Sequence, residues 1–136
     1  MKIVQFEKGY IELHDEYYVI LQLNEGVHFC KECNDALNQM SDAHFGKETP
    51  FSLIILRDQY FSIDPFVFGK QLVNKNLCAI SVVERLPIEV ESESIFNQFF
   101  ESGKTKSVKT LEQAIEWCDT QLMNYLWSKN DIVRLL

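Results

Sequence analysis

The chain has few residues that punctuate or cross-link a fold. Its 136 residues include three prolines, five glycines, four cysteines and three histidines. The glycines stand singly, so no Gly-rich phosphate loop exists. There is no low-complexity run, no internal repeat and no linker-like stretch, which leaves one domain as the reading. No apolar run has the length needed to span a bilayer. In MKIVQFEKGYIEL the apolar residues are interrupted by Gln5, Glu7 and Lys8, so a signal peptide is not expected. Basic residues are the minority, 13 Lys and Arg against 20 Asp and Glu, for a net charge of −7. They form no stripe, which argues against a nucleic-acid partner. The expected location is the cytoplasm, with the cysteines as reduced thiols.

What is present is core material. Hydrophobic residues make up 46 % of the chain, with ten Phe, five Tyr and two Trp. Rings should therefore supply much of the buried area. Residues 2–24 read as three short strands, KIVQF, YIELH and YYVILQL, joined by turns at Lys8-Gly9 and Asp15-Glu16. The third strand is more continuously apolar, as in a strand covered on both faces. Residues 26–45 switch to helical spacing, with Val27, Cys30, Cys33, Leu37, Met40 and His44 on one face and Lys31, Glu32, Asn34, Asp35 and Asn38 elsewhere. Gly46 suits the C-cap.

FSLIIL and LCAISVV are two further buried strands, and KSVK is a short one expected at the sheet edge. Asp64-Pro65 predicts a helix start, with Phe66, Leu72 and Val73 inward. Ile95, Phe96, Phe99 and Phe100 form the apolar face of another helix, which Gly103 ends. Thr110 and Gln113 make a capping box ahead of a stripe of Leu111, Ala114, Ile115, Cys118, Leu122 and Leu126. The acidic run Glu89–Glu93 suits a solvated helix start. The expected fold is α/β: N-terminal strands over 1–24, four β-α units over 25–129 and a tail at 130–136, with a mixed, mostly parallel sheet covered by helices.

Several constellations invite chemistry. Cys30-Lys31-Glu32-Cys33 has the spacing of a redox pair. Its surroundings lack the Trp, Gly and Pro usual around such pairs, and its place on the helical stripe favours two core thiols. His28 adds a third potential metal ligand, but no second C-x-x-C completes a zinc site, so no metal and no cofactor are expected. The histidines lie beside no recognisable nucleophile elbow, and no enzyme activity is expected. The loops after FSLIIL and LCAISVV should be neighbours at the carboxyl ends of parallel strands, where ligands bind. Arg57, Asp58, Tyr60, Asp64, Glu84 and Arg85 are therefore the candidate ligand- or partner-binding residues. The plainer reading of the same residues is an Arg–carboxylate pair with helix capping by Asp64.

The element order resembles the STAS fold of anti-sigma-factor antagonists and sulfate-transporter tails. Ala79-Ile80-Ser81-Val82-Val83, Ile95-Phe96-Asn97-Gln98-Phe99-Phe100 and Thr110-Leu111-Glu112-Gln113-Ala114-Ile115-Glu116-Trp117 look most like small bacterial STAS/SEC14-like proteins. The resemblance implies a regulatory, non-enzymatic interaction module. Where the antagonists carry a phosphorylated serine after an Ile-Asp pair, this chain has Pro65 and Phe66 after Ile63-Asp64, with Ser62 ahead of them. The expected partner is another protein or a second copy, with a homodimer formed through the apolar tail (Leu126, Trp127, Ile132, Val133, Leu135, Leu136). The alternative is a small-molecule or lipid ligand in a cavity lined by Phe66, Phe68, Phe96, Phe99 and Phe100.

Overall fold

A computed structural model describes residues 1–87, 95–101 and 103–128. It shows an α/β fold built on one six-stranded sheet. The first three strands are β1 (Lys2–Phe6), β2 (Gly9–His14) and β3 (Tyr18–Leu23). β4 (His28–Phe29) and helix α1 (Lys31–Phe45) lead to β5 (Phe51–Arg57). β6 (Ser62–Ile63) and a 3-10 turn (Pro65–Phe68) lead to β7 (Leu77–Glu84), and β8 (Thr105–Val108) precedes helix α2 (Leu111–Ser128). The sheet order is β1-β2-β3-β5-β7-β8, and β4 pairs separately with β6. The β1–β2 and β2–β3 pairings are antiparallel, and β3–β5, β5–β7 and β7–β8 are parallel.

Strand alternation divides the core into two layers. On one face Ile11, Leu13, Val19, Leu21, Leu53, Ile55, Ile80 and Val82 pack under α1, the 3-10 turn and Phe96. On the other, Tyr18, Ile20, Ile54, Leu56 and Val83 meet Ala114 and Cys118 of α2. Farther along α2, Leu122 and Leu126 close over Cys78 and Ala79. The α2 stripe expected from helical spacing is thus the one the fold buries. Its capping box also forms, with the Thr110 Oγ accepting from the Gln113 N–H at 3.1 Å and the Gln113 Oε1 accepting from the Thr110 N–H at 3.2 Å.

Three expectations need correction. The helix expected over 26–45 begins at Lys31, because residues 28–29 pair with β6 instead. Val27 and Cys30 therefore lie outside its stripe, and the buried helix residues are Asn34, Leu37 and Ser41. Asn34 was expected outside; it is only 3 % exposed, and its amide donates to the carbonyls of Val67 and Leu72 at 3.4 Å each. Those loop carbonyls have no strand partner, so a buried amide satisfies them. The helix expected after Asp64 is a single 3-10 turn, with Phe66 63 % exposed rather than inward. Its cap does form, the Asp64 carboxylate accepting from the Phe66 N–H at 3.1 Å. Too few apolar residues recur at helical spacing after Phe68 to hold a longer helix to the sheet. The unit after β5 is accordingly β followed by a turn. Residues 89–93 and the tail at 130–136 lie outside the described residues.

The turn from β1 to β2 depends on Gly9. A Cβ there would stand 2.1 Å from the Gln22 carbonyl oxygen and 2.9 Å from the Leu23 Cα. Gly9→Ala should lower unfolding free energy by about 2–3 kcal/mol, read from urea titration. Alkaline stability is set partly by α2. Burial pushes the Cys118 thiol up to about 12 from its ordinary 9.0, opposed by the Ser52 hydroxyl and aided by Cys78 and Asp119. A raised folded-state value means the stabilisation is complete below pH 9.0 and is lost as pH climbs toward about 12. Cys118→Ala should flatten the fall of unfolding free energy measured from about pH 8 to about pH 11.

Candidate functional site

The carboxyl ends of β3, β5 and β7 bring together Gln22, Arg57, Asp58, Glu84 and Arg85. Arg57 ends β5 beside Glu84, its register partner at the end of β7. The next residues, Asp58 and Arg85, are also adjacent, and the Arg85 N–H donates to the Arg57 carbonyl at 3.3 Å. Because side chains alternate along strands, the two pairs emerge on opposite faces of the sheet. The candidate residues therefore divide into two groups rather than converging on one site.

On the α1 face the Arg57 Nε is 3.9 Å from the Glu84 carboxylate, whose side chain is 1 % exposed. The guanidinium also donates to the Phe61 carbonyl at 3.2 Å and lies over the Phe61 ring, 5.1 Å from its centroid. This is an ion pair held under an aromatic lid. On the other face the chain of contacts is longer. The Gln22 amide donates to both Asp58 carboxylate oxygens, at 3.2 and 3.1 Å, and Asp58 faces Arg85 at 3.8 Å. The Tyr10 hydroxyl donates to the Gln22 Oε1. Burial, then the neighbouring carboxylates of Glu12 and Asp58, pushes the Tyr10 phenol above its ordinary value. The phenol keeps its proton for the amide, and the amide orientation is fixed from both ends.

Tyr60 and Asp64 belong to neither group. The Glu25 carboxylate accepts from the Tyr60 N–H at 3.0 Å, and the Tyr60 carbonyl accepts from the Gly26 N–H at 2.7 Å, while the Tyr60 side chain is 54 % exposed. These bonds stitch the loop after β5 to the loop after β3. Asp64 is the cap described above. Tyr10 and Gln22 were not anticipated, although Gln22 is the one polar residue inside YVILQL and so carried a signal. Phe61 carried none, because its role depends on where Arg57 points.

The five phenylalanines proposed to line a cavity take different places. Phe68 and Phe96 are buried edge to face, 5.3 Å between centroids, and Phe66 meets Phe99 at 4.8 Å near the surface. A solvent-open groove of about 470 Å³ lies elsewhere, between the edge strand β8 and α2, with Lys106, Val108, Glu116 and Trp117 on its walls. No group of three or more His, Cys, Asp or Glu stands together as a metal site among the described residues. No helix among them is long and apolar enough to cross a membrane. Comparison with protein-family models, with curated proteins and with solved structures finds no match.

The two ion pairs should differ in energetic weight. Removing one partner of a desolvated pair strands the other, at about 3 kcal/mol, whereas half-exposed pairs contribute less than about 1 kcal/mol. Glu84→Ala should therefore destabilise markedly more than Arg85→Ala in parallel urea titrations.

Proposed function

We propose that the chain is a non-enzymatic protein-interaction module that pairs with a second copy of itself through the β1 edge of its sheet. The carrying observation is that β1 is an edge strand whose Ile3 is 58 % exposed, with Met1 just ahead of it 65 % exposed. Beside it, Ile3, Gln5, Tyr10 and Glu12 line a shallow depression of about 280 Å³ on the face that α2 covers over β5, β7 and β8. An open edge offers unpaired backbone donors and acceptors to another strand. Antiparallel pairing of β1 with its own copy about Val4 would bring each Ile3 beside the partner's face and give a two-fold interface. The ion pairs at the strand ends fit a scaffolding role, since each carboxylate there already has a cation.

A STAS-like frame is part of the same proposal. It is supported by the antiparallel N-terminal strands that feed a run of parallel ones. The cytoplasm is the location proposed for it. Light scattering coupled to size exclusion should give twice the 15.9 kDa of one chain at tens of micromolar protein, and Ile3→Glu should return it to the single mass with its circular dichroism unchanged. A wild-type chain that stays at the single mass up to millimolar concentration would overturn the self-pairing reading.

A further inference from the structure

The sequence places Cys30 and Cys33 on a buried helical stripe; Cys33 does pack against the core, though only partly buried, whereas Cys30 stands ahead of the helix. Cys30 is the N-cap of α1, with φ −113° and ψ −172°. Its extended backbone lets its side chain swing back over the first turn toward Cys33, and the two sulfurs stand 3.6 Å apart. Both cysteines are partly exposed, while Cys78 and Cys118 are buried. A disulfide needs about 2.05 Å between sulfurs, so closure takes side-chain rotation and no movement of strands.

The surroundings of the pair match those of exchanging thiols. Exchange runs through the thiolate, and reactive cysteines sit by cations and helix N-termini. The Lys8 ammonium lies 3.9 Å from the Cys30 sulfur and is held there by donating to the His28 carbonyl at 2.7 Å. α1 runs for 15 residues behind the pair. The Cys30 thiol also holds the Glu32 carboxyl below its ordinary value, so Lys8 is the cation that offsets this nearby negative charge when the thiolate forms. The remaining two cysteines are buried, and burial raises both of their thiols.

We infer that Cys30 and Cys33 form a reversible dithiol–disulfide site that exchanges electrons with small-molecule disulfides. The Cys30 thiolate attacks one sulfur of the incoming disulfide. A bond forms between Cys30 and that sulfur, the incoming S–S bond breaks, and the departing thiolate takes up a proton. The Cys33 thiolate then attacks the Cys30 sulfur, closes the Cys30–Cys33 bond and expels the second thiol. Two electrons pass from the cysteine pair to the incoming disulfide, and the two cysteine protons end on the two released thiols. Disulfides formed in a reducing compartment are usually transient and redox-sensing or catalytic, which suits a pair this close to the surface. The inference is independent of self-pairing through β1.

The test uses the full chain with oxidised glutathione as the probe, acid quenching, alkylation and peptide mapping. The expected product is one intramolecular disulfide, mapped to Cys30 and Cys33, with Cys78 and Cys118 still alkylatable after unfolding. Cys33→Ser should stop at a single glutathione adduct on Cys30. In the untreated native chain, iodoacetamide should label Cys30 at least about ten-fold faster than Cys118, as expected where thiolate character and access both differ. This comparison needs no variant to fold. A pair that stays reduced in excess oxidised glutathione, a disulfide mapped to other cysteines, or equal labelling of Cys30 and Cys118 would each overturn the inference.

Discussion

Strand β5 is paired on both edges and covered on both faces, and the other elements take their places from it. Six of its seven residues are buried. Its parallel pairing with β3 and β7 requires crossover connections, so a helix or turn must cross the sheet on the way in and on the way out. Alternation then gives Phe51, Leu53 and Ile55 to the α1 layer and Ile54 and Leu56 to the α2 layer. Burying an aliphatic side chain of this size contributes about 1.5–3 kcal/mol, so the two layers together outweigh any of the ion pairs at the rim.

The same pairing explains why the rim chemistry divides in two. Arg57 and Glu84 are register partners, and so their successors Asp58 and Arg85 must also lie side by side, on the opposite face. One pair is sheltered by Phe61. The other is tied through Gln22 on β3 to Tyr10 on β2. The polar groups at the strand ends join one loop to the next.

Much of this was legible from residue order. The alternation in YIELH, the mostly apolar runs of β3, β5 and β7 and the 3.6-residue spacing of α2 each specify a local structure that the core then rewards. The adjacency of the loops after Leu56 and Val83 followed from parallel pairing alone. What failed did so where a local pattern met a tertiary competitor. Val27 to Cys30 fit a helical stripe, but the backbone of residues 28–29 found a strand partner in Ser62 and Ile63. Asn34 looked like a solvated helix residue until the loop carbonyls of Val67 and Leu72 came within reach of its amide.

The sequence by itself determined the α/β class, the strands of the main sheet, the caps at Asp64 and Thr110 and the charge imbalance. These depend on periodicity and on residues a few positions apart, and chain order encodes both. Tertiary structure alone decided which faces the rim charges occupy, how Gln22 is oriented and where the two nearest cysteines stand. Those depend on distances between segments remote in sequence. The 3.6 Å between the Cys30 and Cys33 sulfurs is the clearest case. The spacing of the two residues is local, but their approach exists because a short parallel ribbon delays the helix until Lys31, leaving Cys30 extended at its cap.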